Sequence, residues 1–387
     1  MPLANSFLRP EQLKAPENTY PLDLVFCSIC SLVQITETVP PEQLFSNYAY
    51  LSSFSETMLK ESKNLADRLI RERGLDTSSL VVELGSNDGY QLQYFVDKSI
   101  PVLGIDPAKN LAEIAESKGV KTICGFFGQD FAHQLNNKGI VADAIIAKNV
   151  LAHVADLNGF VEGMRTILKK SGTAVIEVPY IKELLDRREF DTIYHEHLCY
   201  FSMTALNNLF ERHGMVLTHV ERIPLHGGSL RLFVSNQGRP MESVRSLLRE
   251  EKEWGADHVR SYLDFANSVA KVKDSIRSLL TSIKEDGGTI AAYGAAAKGT
   301  VLLNYCGIGA DTLEFIVDLS PHKQGLYMPG VRVQICPPTR LLEAMPDYTL
   351  ILAWNLTEEI ITQQSEYLGR GGKFIIPLPH PRIVGGH

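Results

Sequence analysis

Twice in this chain an apolar strand runs directly into a glycine-bearing turn and then a helix: "SLVVELGSNDG" over residues 79–89 and "TIAAYGAAAKGT" over residues 289–300. That order constrains the fold more than anything else in the sequence, because strands alternating with helices predict a parallel sheet covered on both faces. After the first opening the pattern predicts a helix over 90–98, a strand in "VLGID", a helix over 108–117, and strands in "VKTI" and "ADAIIAKN". A helix over 157–169 and the strand "GTAVIEVP" follow. A helix over 203–212 and the strands "GMVLTHVERI" and "SLRLFVS" close this half, and these last two need not be parallel. After the second opening come "LEFIVD", "YTLILAW" and "GKFIIPLP" as strands. Between the halves, residues 240–285 have apolar positions at helical spacing and no proline after Pro240, which predicts one long helix or two in tandem. Ahead of the first half, 55–73 reads as a helix stopped by Gly74, and "LDLVFC" with "SLVQI" reads as a hairpin in a small cap.

At 387 residues the chain suits two domains rather than one core. Its net charge of −7, with basic residues scattered, argues against a nucleic-acid partner. No apolar run approaches the roughly 18 residues of a membrane span. The cysteines at 27, 30, 124, 199, 306 and 336 are too irregular for a disulfide framework. A cytoplasmic protein with free thiols and small-molecule partners is the expectation.

The first opening puts Glu83, Gly85, Asn87 and Gly89 at the carboxyl end of a strand, where open α/β sheets bind ligands. Asp106 and Pro107 end the next strand, and Asp106 is an acceptor suited to a ribose diol. The spacing E-x-G-x-x-x-G lacks the second close glycine of a dinucleotide seat, which favours S-adenosylmethionine, with Asn149 in "AKNVLAHV" at its methionine end. The second opening is not a P-loop, because Lys298 precedes Gly299. Gly294, Lys298 and Gly299 either hold a phosphate group or pack a helix onto its sheet. Asp318 at a strand end keeps open an NAD-dependent oxidoreductase acting on a sugar nucleotide.

Taken together, "PLANSFL", "YPLDLVFCSICSLVQ", "SNYAYLSSFSETM", "ELGSNDG", "NVLAHVADL", "YHEHLCYFS", "HGGSLRLFV" and "YGAAAKGTVLLN" resemble the sugar-nucleotide C-methyltransferases of deoxysugar pathways, over about residues 2–379. The resemblance implies two Rossmann-like, doubly wound α/β domains joined by helices, with a small N-terminal cap. The divisions would be 1–55 for a truncated zinc-type cap, 56–238 for the methyltransferase domain, 239–286 for the helical connection and 287–387 for a sugar-nucleotide-binding domain. It also implies methylation of a ring carbon alpha to the ketone of a nucleotide-linked 4-keto-6-deoxysugar, C-3 by expectation, with S-adenosylmethionine as donor. A non-catalytic nucleotide-sugar binding protein is the other alternative. Neither a nucleic acid nor a membrane is implied as partner, and a monomer is compatible with the sequence.

"FDTIYHEHLCYFS" gathers Tyr194, His195, Glu196 and His197. The H-x-H spacing is not that of H-E-x-x-H, so metal binding is disfavoured. Proton transfer suits the reaction: an enolate must form, histidine titrates near working pH, and Glu196 reads as the partner that holds the tautomer of His197. The resemblance makes His197 the base, places function on Tyr194 and Glu196, and leaves His195 outside its Y-x-E-H pattern. His153 and Tyr48 are secondary catalytic candidates, and Arg231 in "HGGSLR" reads as a holder of phosphate or sugar oxygen. Cys27 and Cys30 have the spacing of half a zinc site. The family has a further cysteine pair upstream, which this sequence lacks, so a partial or metal-free cap is expected.

Overall fold

The computed structural model describes residues 1–45, 51–225 and 227–385. Its strands, in chain order, are β1 (Leu24–Phe26), β2 (Val33–Ile35), β3 (Val81–Leu84), β4 (Val102–Asp106), β5 (Thr122–Cys124), β6 (Ala142–Lys148), β7 (Leu168–Pro179), β8 (Cys199–Tyr200), β9 (Val216–Ile223) and β10 (Ser229–Ser235). The second half adds β11 (Ile290–Tyr293), β12 (Ile316–Val317), β13 (Ile335–Cys336), β14 (Tyr348–Ile351), β15 (Lys373–Ile376) and β16 (Arg382–Val384).

The larger sheet has the order β5-β4-β3-β6-β7-β10-β9. β5 through β7 are parallel, and β10 runs antiparallel to both β7 and β9. Because β3 lies between β4 and β6, the chain winds outward one way and then crosses to the other side, leaving a crevice at the carboxyl ends where the order reverses. Alternate residues of β3 point to opposite faces: Val81 packs with Leu65, Leu69 and Phe95, whereas Val82 and Leu84 pack with Leu135, Phe160 and Met164. Both faces are therefore dry, which is why the strands read as continuous apolar runs.

The helix Glu56–Arg73 shows how local chemistry sets such an element. The Ser55 hydroxyl accepts the Met58 N–H at its start, and Gly74 takes the left-handed conformation at its end. Two helices depart from expectation. The helix expected over 90–98 is the single turn Gln93–Val96, with Ser99 already left-handed (φ 57°) before Pro101. The helix Gln129–Asn137 carries the chain from β5 to β6, a crossover that a parallel pair requires.

The second sheet has the order β13-β12-β11-β14-β15-β16, parallel except for β16. Its first strand, β11, again has neighbours on both sides, so a second crevice opens at the ends of β11 and β14. Two tandem helices, Glu242–Trp254 and Val259–Glu285, join the halves and are separated at left-handed Gly255. At the N-terminus, β1 and β2 form the hairpin and β8 joins as a third strand. The preceding residues lie on the second half: Thr300 donates to the Ala4 carbonyl, Leu8 bridges to Tyr327, and Arg332 donates to the carbonyls of Leu13 and Ala15. Among the described residues no helix is long and apolar enough to cross a membrane.

Candidate active site

At the carboxyl ends of β3, β4 and β6 lies a cavity of about 470 Å³. Gly85, Asn87, Asp106, Pro107, Asn149 and His153 line it. Gly85 has φ +69°, and a Cβ there would approach Val150 to 3.0 Å, so glycine permits both the turn and the open space. The Asp106 carboxylate accepts the N–H groups of Asn87 and Ala108, each at 2.8 Å, which fixes the loop against the end of β4. Burial holds its pKa above the usual carboxylate range. Asn149 Oδ1 is buried without a hydrogen-bond partner, and Ile105, Leu111, Phe127 and Phe160 supply apolar walls. A flat nucleoside against those walls, a diol toward Asp106 and an ammonium toward Asn149 fit this set of residues, as S-adenosylmethionine requires.

Two residues assigned to the donor from sequence do not line the cavity. Glu83 is fully buried behind it, close to Lys148, with neither carboxylate oxygen hydrogen-bonded, and burial pushes its pKa well up. Gly89 serves packing, since a Cβ there would meet Val120 at 3.0 Å and Ala115 at 3.3 Å. Conversely, Lys148, Phe126 and Phe127 line the cavity and were not singled out from sequence. The aromatic pair in "CGFFG", directly after the third strand, was the available signal.

His153 ends a short turn, Leu151–His153, and its Nδ1 bonds to the Glu196 carbonyl. A carbonyl only accepts, so Nδ1 carries the proton. Burial lowers the pKa of His153 and keeps it neutral. Its ring lies 5.0 Å from that of His197. In His197, Nδ1 sits 2.8 Å from the Thr192 carbonyl and must likewise be the N–H, which leaves Nε2 as the basic nitrogen, 3.1 Å from the Tyr194 hydroxyl.

The expected pairing of Glu196 with His197 is corrected here: the Glu196 carboxylate accepts from Asn5 Nδ2 at 2.6 Å, and the backbone of Thr192 holds the tautomer instead. Burial raises the pKa of Glu196. His195 is 1% exposed, its Nε2 bonded to the Pro21 carbonyl and its ring edge-on to Tyr20, so its role is structural. Tyr48 lies outside the described residues.

At the second crevice, Lys298 is on the first turn of the helix Ala297–Cys306, with its Nζ on Asn355 Oδ1 (2.9 Å) and 4.4 Å from the Trp354 ring centroid. Gly294 and Gly299 are close-packing glycines: a Cβ would meet Ala353 at 2.8 Å and Leu352 at 2.9 Å respectively. Asp318 accepts the Ala295 and Ser320 amides, which holds the second glycine turn against the end of β12 in the way Asp106 holds the first. Lys323, which sequence reasoning passed over, donates to the Ala295 carbonyl and adds a second cation beside the glycine turn.

Arg231 is also corrected. It is buried within the sheet, bonded to Glu177 at 2.7 Å with Glu61 and Glu221 nearby, and is committed to ion pairing rather than to a ligand. Cys27 and Cys30 share a tight turn in which the Cys30 and Ile29 backbone lowers the Cys27 pKa. Among the described residues no group of three or more histidine, cysteine or acidic side chains is arranged to hold a metal ion. Two thiols are half of a tetrahedral zinc set, so the described residues do not fit zinc.

Residues 58–220 match the family model described as "Methyltransferase domain", residues 224–379 the "C-methyltransferase C-terminal domain", and residues 1–45 a "Putative zinc binding domain". Over 386 residues the chain is 37% identical to C-methyltransferase NovU of Streptomyces niveus, covering 99% of this chain and 92% of that protein. Among solved structures it is similar to the PH0226 protein from Pyrococcus horikoshii OT3 (16% identity, 51% of this chain and 98% of that one, TM-score 0.40). It is also similar to magnesium protoporphyrin IX methyltransferase from Synechocystis PCC 6803 with bound SAM (12% identity, 46% and 79%, TM-score 0.36).

Proposed function

This chain belongs to the C-methyltransferase family and is an S-adenosylmethionine-dependent enzyme, and from that premise we propose that it methylates a nucleotide-linked 4-keto-6-deoxysugar at C-3, alpha to the ketone. The observation that carries the reading is the row of side chains leading out of the donor cavity. His153 lines that cavity, the His197 ring lies 5.0 Å from the His153 ring with an unprotonated Nε2, and Tyr194 stands against that nitrogen.

When bound, the donor supplies a methyl group on a sulfonium centre. His197 Nε2 takes the proton from the sugar carbon and becomes an N–H. Because Nε2 has a single lone pair, this requires the Tyr194 O–H to have turned from that nitrogen to the ketone oxygen, where it stabilises the enolate as it forms. His153, kept neutral by its burial, adds no positive charge beside a cationic donor. Lys298 and Lys323, on the second glycine turn, would attract the diphosphate of the nucleotide. The protein's contribution is mainly orientation and placement of charge.

The test is mass spectrometry of the sugar product after incubation with methyl-labelled S-adenosylmethionine and a panel of nucleotide 4-keto-6-deoxysugars. Label on C-3 is expected. His197→Asn should lower turnover by at least about 10³-fold while donor binding stays within about twofold. Appreciable turnover by that variant refutes the base assignment.

A further inference from the structure

The carbonyl that fixes the tautomer of His197 is itself held by a short turn, Phe190–Thr192, and both outward side chains of that turn reach the second α/β unit. Phe190 packs against Tyr305 on the helix Ala297–Cys306, with ring centroids 5.1 Å apart. Asp191 is completely buried, and its Oδ2 accepts the Trp354 indole N–H at 2.7 Å. Trp354 opens the turn Trp354–Leu356 just past the carboxyl end of β14, at the second crevice, under the Lys298 ammonium. Within the turn, the Thr192 N–H and hydroxyl both bond to the Glu189 carbonyl, at 3.1 and 2.7 Å, and the Ile193 N–H bonds to the Phe190 carbonyl at 3.1 Å, so the Thr192–Ile193 peptide that carries the Thr192 carbonyl moves with the turn.

We propose that Asp191 is a positioning residue for the reaction: anchored by Trp354, it orients the Thr192 carbonyl that keeps the proton of His197 on Nδ1. The inference rests on His197 being the base. The two neutral tautomers of an imidazole differ little in energy, so whichever hydrogen bond one nitrogen makes decides which nitrogen is basic. If the turn loses its anchor, the carbonyl tilts away and the Nε2–H tautomer becomes populated. In that tautomer Nε2 cannot accept the substrate proton, so turnover falls while substrate binding does not. The second unit would thus contribute directly to the frame of the catalytic base as well as to acceptor binding.

Trp354→Phe tests this in the full-length protein, because it deletes the indole N–H while keeping a smaller aromatic face under Lys298. Asp191→Ala deletes the acceptor, and Asp191→Asn keeps an oxygen that can accept from the indole. The expected result is a kcat about tenfold lower for Trp354→Phe and Asp191→Ala, with the acceptor KM within about twofold. Recovery of most of the loss in Asp191→Asn, and a double variant no slower than Asp191→Ala, should accompany it. The ¹⁵N shifts of the His197 ring should move toward the Nε2–H tautomer in the two slow variants. Wild-type kcat in Trp354→Phe and Asp191→Ala, a loss confined to KM, or unchanged ring shifts overturns the proposal. Failure of the base reading is separate: it would show as retained turnover in His197→Asn.

Discussion

Burial sets the charge on the two carboxyls that precede the loop Tyr194–His197. Glu189 and Asp191 are both pushed up to about 7 by desolvation, which the Lys298 ammonium only partly offsets. A carboxyl whose pKa is raised by folding binds its proton more tightly in the native state than in the unfolded chain. Its stabilising contribution is complete below the unfolded value near 4 and is lost as pH rises through about 7. Denaturant titrations at pH 5 and pH 8 should therefore show stability falling by on the order of 2–3 kcal/mol for each group. Asp191→Asn should flatten its share of that slope. A wild-type stability that is level or rising over this window would contradict the burial of these groups. Nothing in the sequence marked them, because a carboxylate four or six positions before a histidine pair reads as ordinary loop polarity until the second unit packs over it.

At the scale of elements, the central strands of both sheets were legible because strands covered on both faces must be apolar throughout, and the long helices because their buried stripes recur with the right period, whereas the short edge strands β13 and β16 were not read from sequence. The helix Gln129–Asn137 buries only Ala132 and Leu135 and so has little stripe to show, though the parallel pairing of its neighbouring strands demanded a crossover there. At the first glycine turn Gly85 and Asn87 were legible as cavity-lining residues and Glu83 and Gly89 were not, and the long-range partners left no signal. Asn5 is 191 positions from Glu196, and only the folded chain brings them together. Arg231 was misread for the same reason, its partner Glu177 lying opposite it on β7.

The junction of β3 with its turn is where an element defines the donor site. Gly85→Ala places a side chain in a left-handed conformation and presses it on Val150, a cavity-lining residue. Calorimetric titration should show donor affinity at least about tenfold weaker, together with a stability loss of roughly 1–2 kcal/mol. Unaltered affinity would mean that the donor does not approach this turn.

Over the whole molecule, the N-terminal residues join what the two α/β units leave apart. Asn5 reaches the Glu196 carboxylate, Pro21 receives His195, and β2 pairs with β8 just after the loop Tyr194–His197, while Ala4 and Leu8 are fastened to Thr300 and Tyr327. Thr300→Val removes the bond to the Ala4 carbonyl at a buried position and leaves the shape nearly unchanged. A cost of about 1–2 kcal/mol is expected, with faster hydrogen exchange at the Leu8 amide, which bonds to the Tyr327 carbonyl. Exchange at that amide equal to wild type would show that the strap is held by its other contacts.

That strap also imposes an order in time. Partners of the first residues lie 296 to 319 positions further along, so a growing chain has exposed its N-terminus to the cell long before the surface that receives it has been synthesised. The methyltransferase half can begin folding on the ribosome together with the N-terminal contacts of the loop Tyr194–His197, but Asp191 meets Trp354 only when the last third of the polypeptide has emerged. Until then a nascent or prematurely terminated chain would have the first cavity without the second unit's hold on the adjoining turn, and that hold would arrive as the final event of the molecule's own assembly.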